Sequence, residues 1–306
     1  MNSKSDYIVV SIGMPVYNGE KLIERAISSI LDQTYGNFEL TISDNGSTDK
    51  TAEICKKYSL KDDRIKYIRH EKNSGGLWNY KFLLNNAKNE YFMWAPVDDL
   101  WSPEFIEKNL NFLEKNKNFV GSIGKVKTIS LDGESNKIDD TFEKFLRKIR
   151  FRIRPVNYQP ISGSYEKKVS DFLKYGYGDM TYGLFRTSIL QKSYLDINFG
   201  IGMAYASILH ALKFGDFNVI DEYLFSKSDK GISKKGIIYM ARHVNSGIGK
   251  LFTHYHYTLW CAKNLGAKIF IKNLSYFIQL NLWAVFATFV DLFRILSKSI
   301  NSKKEN

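Results

Sequence analysis

The stretch MPVYNGEKLIERAISSILDQTYGNFELTISDNGSTDKT, residues 14–51, decides how the chain is read. An apolar run over Ile8–Met14 predicts a buried strand, broken off by Pro15 and Gly19. Leu22, Ile23, Ala26, Ile27, Ile30 and Leu31 then recur at helical spacing and predict a helix over Glu20–Leu31. A second strand is predicted over Phe38–Ser43, ending at Asp44. Asn45-Gly46 supplies a tight turn, and Asp49 is placed to cap a helix over Thr51–Tyr58. Strand, helix and strand at this spacing imply a right-handed crossover and a mostly parallel sheet.

The alternation continues outward. Ile65–Arg69 and Tyr91–Val97 read as strands, Gly76–Ala87 as a helix. Pro103–Lys115 reads as a helix with Ser102 as its cap and Pro103 in its first turn. The fold class is therefore α/β, a mostly parallel sheet flanked by helices. In such sheets ligands gather beyond the carboxyl ends of the strands. That rule selects Pro15–Asn18, Asp44–Asp49, His70–Gly76 and Asp98–Asp99, all polar or glycine-rich.

After Asn118 the pattern weakens. Phe119–Leu131 reads as a strand with a turn at Asp132-Gly133, and Asp179–Leu190 as strand into helix. Met203–Phe214 reads as a helix, Asn218–Phe225 as a strand, and the chain beyond Ile237 as mostly helical. The expected division is a domain over residues 1–235, with halves 1–118 and 119–235, followed by a helical extension over 236–306.

The 306 residues, 44% hydrophobic, suffice for one large domain plus an appendage. A formal charge of +12 favours anionic partners such as nucleotide phosphates or an anionic membrane, or reflects a lysine-rich composition. No nucleic-acid-binding module is visible. Cys55 and Cys261 lie far apart with no CxxC or His/Cys cluster, which excludes a zinc site of ordinary spacing and fits a reducing compartment. The N-terminal residues lack a signal-peptide layout, so the expected location is cytoplasmic.

In EYFMWAPVDDLWSP, residues 90–103, an apolar strand ends in two adjacent carboxylates, Asp98 and Asp99. Like charges side by side repel. A divalent cation between them and a polyanion relieves that cost, and Mg²⁺ or Mn²⁺ takes one or two carboxylates plus substrate phosphates. Such an ion would neutralise charge on a leaving diphosphate. Asp44, at another strand end, can accept hydrogen bonds from a base or ribose.

These segments resemble the family 2 glycosyltransferases, whose nucleotide-sugar-binding fold is called GT-A. Residues 14–51 match the family's N-terminal signature. RHEKNSGGLWNYKFLLNNAKNEYFMWAPVDDLWSPEFIEKNL, 69–110, continues it, and YGLFRTSIL, 182–190, resembles a later segment. The resemblance implies a GT-A fold and a transferase moving a sugar from a nucleotide-diphosphate donor, commonly UDP-linked, to a surface-glycan or lipid-linked acceptor. It implies that Pro15, Tyr17 and Asn18 line the base pocket with Glu20 nearby, and that Asp44 bonds the base beside Asn45. Asn73, Gly75 and Asn79 would lie near nucleotide and sugar. Asp98 and Asp99 match the DXD-type motif shortened to a pair, with Asp99 as metal ligand and Asp98 facing ribose, sugar or metal.

The sequence departs from the family on the acceptor side. Inverting members need a general base, and a carboxylate of raised pKa is the usual solution. The expected region, NFGIGMAYASILHALKFG, has no Asp or Glu between Phe199 and Phe214. Asp179, Asp196 and His210 are the nearest candidates. His210, mid-helix between Leu209 and Ala211, reads as structural, so Asp179 is the expected base. Asp229, in the loop SKSDKGISKKG, stands near where the family places a metal-binding His.

Two further segments point to a membrane. KFLRKIRFRIR, 144–154, interleaves six basic residues with apolar ones, suiting an anionic surface, a lipid diphosphate or a solvated helix face. The tract Ala267–Ile300 is interrupted by Gln279, Asn281, Thr288 and Asp291 and flanked by Lys268, Lys272, Arg294 and Lys298. It reads as an interfacial or packed helix rather than a span. Peripheral attachment to the inner face of the cytoplasmic membrane is the matching expectation. The alternative of another class is a GT-A-fold scaffold of weak or no activity. A nucleotidyltransferase would want a glycine-rich phosphate loop, which PVYNGE is not.

Overall fold

A computed structural model describes residues 8–130, 158–176, 178–228 and 252–302, with side chains as far as Leu292. The basic segment 144–154, the turn at Asp132-Gly133 and Asp229 lie outside the described residues. The chain divides into two compact units, Met1–Asp196 with Ser207–Asp229, and Ile197–Ala206 with Lys230–Asn306.

The first unit holds an eight-stranded sheet in the order β3-β2-β1-β4-β7-β6-β8-β5. Its strands are β1 (Val10–Val16), β2 (Phe38–Asp44), β3 (Ile65–Arg69), β4 (Tyr91–Trp94), β5 (Leu100–Trp101), β6 (Phe119–Ile129), β7 (Leu184–Arg186) and β8 (Asp216–Ser228). The first four pair in parallel, as their strand–helix alternation predicts. Beyond them the sheet is mixed: β7 runs antiparallel to β4 and β6, and β5 antiparallel to β8. β6 and β8 are again parallel.

Register brings the strand ends together. Val16 stands opposite Asp44, and Asp44 opposite Arg69. β4 stops at Trp94, three residues short of the predicted end. Ala95 still donates its N–H to the Gly13 carbonyl at 2.8 Å, but Pro96 has no N–H to continue the ladder. The chain therefore turns out of the sheet at the point where Asp98 and Asp99 follow.

Helix α1 (Ile23–Leu31) buries Ile23, Ala26, Ile27 and Ile30, the stripe its spacing predicts. Each fully buried isoleucine of this kind contributes roughly 1.5–3 kcal/mol. Helix α2 covers Thr51–Ser59, α3 Gly76–Asn86 and α4 Phe105–Lys115. Ser102 does not cap α4, contrary to the expectation: its hydroxyl is buried with no hydrogen-bond partner among the described residues. Gln33 does that work from the end of α1. Its carbonyl accepts the Ile106 N–H at 3.0 Å and its amide donates to the Ser102 carbonyl at 2.7 Å. A long-range side chain has displaced the local cap.

Later in the unit come α5 (Tyr165–Tyr175), a 3-10 turn over Gly178–Tyr182, and α6 (Thr187–Tyr194). Helix α7 (Met203–Ala211) runs from the second unit into the first.

The second unit is helical among its described residues: α8 (Tyr255–Asn264), α9 (Ala267–Lys272) and α10 (Leu274–Ser302). The predicted single tract 267–300 breaks at Asn273. The Asn273 amide donates to the Ile269 carbonyl at 2.8 Å, closing α9 from its own C-terminus. Asn281, one of the polar interruptions, does not break α10. It donates to Phe277 O at 2.8 Å and to Thr258 Oγ1 on α8 at 2.9 Å.

Candidate active site

Three loops leave the ends of β1, β2 and β3, and their polar side chains bond to one another. Pro15 is buried within β1, while Tyr17 stands 46% exposed at the lip. Asn18 adopts a left-handed backbone, φ 51°, which Asn tolerates better than most residues. Its N–H donates to Ser47 Oγ at 2.9 Å, and its side-chain oxygen accepts the Thr48 N–H at 2.8 Å. The Glu20 N–H donates to Asp49 at 3.1 Å, and the Glu20 carboxylate accepts the Lys50 N–H at 3.1 Å. Asn18 and Glu20 thus fasten the first loop to the second.

Asp44 is completely buried. Oδ1 accepts the Ser47 N–H at 2.8 Å and Oδ2 accepts the Tyr67 hydroxyl at 2.8 Å, with Arg69 Nε 3.9 Å away. Burial, then this bond to Asp44, pushes the Tyr67 phenol up. The Asn45 amide donates to Asn73 Oδ1 at 2.9 Å and to Gly75 O at 3.1 Å, and its oxygen accepts the Ser74 N–H at 3.0 Å. That close approach requires Gly46, whose φ is 77°. A Cβ there would stand 2.9 Å from the Lys72 carbonyl carbon. Asn79, on α3, is committed inward. It donates to Ser43 O at 2.8 Å and accepts the Ser43 hydroxyl at 2.5 Å, while Ser43 Oγ also meets His70 Nε2 at 2.8 Å.

The turn after β4 is built differently. Asp99 is 3% exposed, and its Oδ1 accepts the Ser228 N–H at 3.0 Å. Burial, then the neighbouring Asp98 charge, pushes the Asp99 carboxyl up to about 7. Burial also raises Asp98, opposed by the charges of Lys227 and Arg25. Tyr80 and Tyr182, half-buried and hydrogen-bonded to each other, stand against the same carboxylates, and burial raises both phenols.

Asp179 reaches this cluster from the 3-10 turn. It forms an ion pair with Lys227, near the end of β8, and its charge is felt at Asp99. Antiparallel pairing of β5 with β8, Leu100 opposite Ser226, brings Lys227 and Ser228 beside the Asp98–Asp99 turn. Arg25 completes the surroundings from α1. Its Nε and Nη2 are buried and have no hydrogen-bond partner among the described residues.

The structure thus brings Asp98, Asp99 and Asp179 together, and gathers Asn18, Glu20, Asp44, Asn45, Asn73 and Gly75 into the neighbouring loop frame. Asn79 lies beneath that frame. His210 sits on α7 with its ring 5.5 Å from Phe214, and burial, then Lys213, holds its pKa down. Sequence reasoning missed Arg25, Tyr80, Tyr182, Lys227 and Ser228. Arg25, a charge beside the apolar stripe of α1, was the one local signal; the others depend on the mixed half of the sheet.

The carboxylate pair suits a hard divalent cation whose remaining positions go to phosphate oxygens, because it offers only oxygen donors. Among the described residues, no three His, Cys, Asp or Glu side chains form a metal-binding group, so substrate oxygens would have to complete the set.

The fold is of GT-A type. The family model described as glycosyl transferase family 2 matches residues 11–193, and the chain belongs to that family. Among curated relatives it is similar to the glycosyltransferase GlyG of Streptococcus pneumoniae serotype 4, 35% identical over 100 residues, 32% of this chain and 33% of that protein. It is also similar to the putative teichuronic acid biosynthesis glycosyltransferase TuaG of Bacillus subtilis, 35% identical over 102 residues, 33% of this chain and 40% of that one. The matched regions therefore span well under half of these relatives' length. Among solved structures, S. aureus TarS 1–349 in complex with UDP-GlcNAc superposes with a TM-score of 0.55 at 17% identity, covering 90% of this chain and 82% of that one. The mannosyltransferase PcManGT from Pyrobaculum calidifontis, in complex with GDP-Man and Mn²⁺, gives 0.56 at 15%, covering 94% and 75%. At these identities the two structures establish the shared fold.

Proposed function

We propose that this protein transfers a sugar from a nucleotide-diphosphate donor, a UDP-sugar, to a hydroxyl of a surface-glycan or lipid-linked acceptor, with inversion. The observation that carries the reading is the Asp98–Asp99 turn, with Asp99 buried, beside Asp179 and a loop frame whose lip carries Tyr17. A structural neighbour holding UDP-GlcNAc supports the donor class. One holding GDP-Man and Mn²⁺ supports use of a metal.

In this reading Tyr17 and the backbone around Pro15 and Asn18 receive the base. Asp44 and Asn45 keep that loop in place. Asp99 and Asp98 hold Mn²⁺ or Mg²⁺, which when bound offsets negative charge on the diphosphate. Asp179 takes the proton from the acceptor hydroxyl as its oxygen forms a bond to the anomeric carbon. The bond from that carbon to the phosphate oxygen breaks, and the nucleoside diphosphate leaves. The test is transfer or hydrolysis across a panel of UDP- and GDP-sugars with Mn²⁺, for wild type and Asp99→Ala. Turnover lost in the variant supports the reading. Nucleotide binding without turnover on any donor would favour a binding scaffold instead.

For location, we propose peripheral attachment to the cytoplasmic face of the membrane through α10. Leu274, Ile278, Leu282, Phe286, Phe289 and Leu292 are exposed and recur every three to four residues along it. Leu274–Leu292 is long and apolar enough to cross a membrane. Lys268 and Lys272 before it suit anionic lipid. Glu in place of Leu282 and Phe289 should abolish sedimentation with anionic vesicles. Unchanged sedimentation would refute the attachment.

A further inference from the structure

Three carboxylates, Asp98, Asp99 and Asp179, crowd one site, and the chain sets its own cations among them. Lys227 is ion-paired with Asp179, and its charge also bears on Asp98 and Asp99. Its backbone is fixed twice. Lys227 pairs with Thr128 across β6–β8, and the Ser228 N–H that follows is bonded to Asp99. The Lys227 side chain is 35% exposed and that of Asp179 22%, so the ion pair is half-buried and within reach of solvent. A surface lysine would sample many rotamers; this one is held by its partner and by the strand.

We propose that Lys227 is a diphosphate-binding residue of the donor site. The inference rests on the donor reading above and deepens it. A nucleoside diphosphate entering beside Asp98 and Asp99 adds negative charge to a site already acidic. One divalent cation between the aspartates and the phosphates offsets part of that charge. Lys227 supplies a fixed monovalent charge next to it, donating N–H bonds to phosphate oxygens. Arg25 on α1, whose Nε and Nη2 are buried with no hydrogen-bond partner among the described residues, adds a second cation whose charge bears on Asp98.

An ammonium drawn to the phosphates leaves Asp179 with a weaker partner. No bond is made or broken in this step; one hydrogen-bonded ion pair is exchanged for another.

The test is calorimetric titration in EDTA and again in Mn²⁺. Ligands are UDP or GDP, whichever binds wild type more tightly, and the matching nucleoside. Proteins are wild type, Lys227→Met and Lys227→Arg, each checked by thermal melting. The expected result in EDTA is about a tenfold or greater loss of diphosphate affinity in Lys227→Met, the scale of one charge-assisted hydrogen bond. Nucleoside affinity should stay within twofold, and Lys227→Arg should recover most of the loss. Diphosphate and nucleoside weakened equally, or neither weakened, overturns the assignment while the donor reading stands. Wild type that binds neither diphosphate overturns both.

Discussion

Two neighbouring regions at the strand ends of one sheet hold their polar groups in opposite ways. In the loops after β1, β2 and β3, the carboxylates and amides of Asn18, Glu20, Asp44 and Asn45 are bonded to the chain itself, mostly to backbone N–H groups. In the turn after β4, Asp99 is buried beside the half-buried Asp98, both with raised pKa values, and an arginine beside them has two buried N–H groups with no hydrogen-bond partner among the described residues. The first region is a frame complete without a ligand. The second carries electrostatic cost until something charged arrives. Perturbing the frame should cost stability, and perturbing the turn should cost chemistry.

The largest expected effect is in the turn. Asp99→Ala should lower sugar transfer by at least roughly 100-fold, the scale seen when one electrostatic stabiliser is removed from an active site. Asp179→Asn should lower transfer by roughly 100-fold or more while donor binding stays within threefold, as removal of a positioned base does. Calorimetry and initial rates on the same preparations separate the two. Comparable loss of donor binding in Asp179→Asn would show it to be a structural acid.

The frame should respond in the other currency. Gly46→Ala places a Cβ at positive φ within 2.9 Å of backbone, so a loss of more than about 1 kcal/mol is expected in denaturant unfolding. Asn18→Ala removes the acceptor for the Thr48 N–H and should cost about 1 kcal/mol. An unchanged midpoint in either variant would mean that the loops are not the fixed support described here.

The smallest effect concerns pH. The Asp99 carboxyl rises from 3.8 to about 7 on folding, so between those values the folded state binds more protons than the unfolded one. Stability from this group is then fully present below the lower value and is lost as pH rises through the upper one. In EDTA, Asp99→Asn should melt above wild type at pH 8, and the gap should narrow on acidification. A gap independent of pH would mean that Asp99 is not buried as an acid.

The frame was legible in the sequence and most of the turn's surroundings were not. Asn45-Gly46, Asp44 and the α1 stripe are local patterns, each read within a few residues. Asp98 and Asp99 stood out because an apolar strand led into them, and Asp179 because it precedes YGLFR. Nothing local places Lys227 and Ser228 beside the Asp98–Asp99 turn. That contact depends on β8 running antiparallel to the two-residue β5, a pairing too short to leave a periodic signal. Ser102 shows the same limit: Ser-Pro is a fair capping signal, yet Gln33, distant in sequence, takes the helix N–H. The missing carboxylate between Phe199 and Phe214 was visible as an absence and Asp179 was the expected substitute; what the folded chain adds is its place beside Lys227 and Asp99.

The most direct test of the central claim is calorimetric binding of UDP to wild type and Asp99→Asn, with and without Mn²⁺. An acid pair completed by metal and diphosphate predicts that Mn²⁺ tightens UDP binding at least tenfold in wild type and has no effect in Asp99→Asn. Equal tightening in the two proteins would place the metal elsewhere and contradict the account.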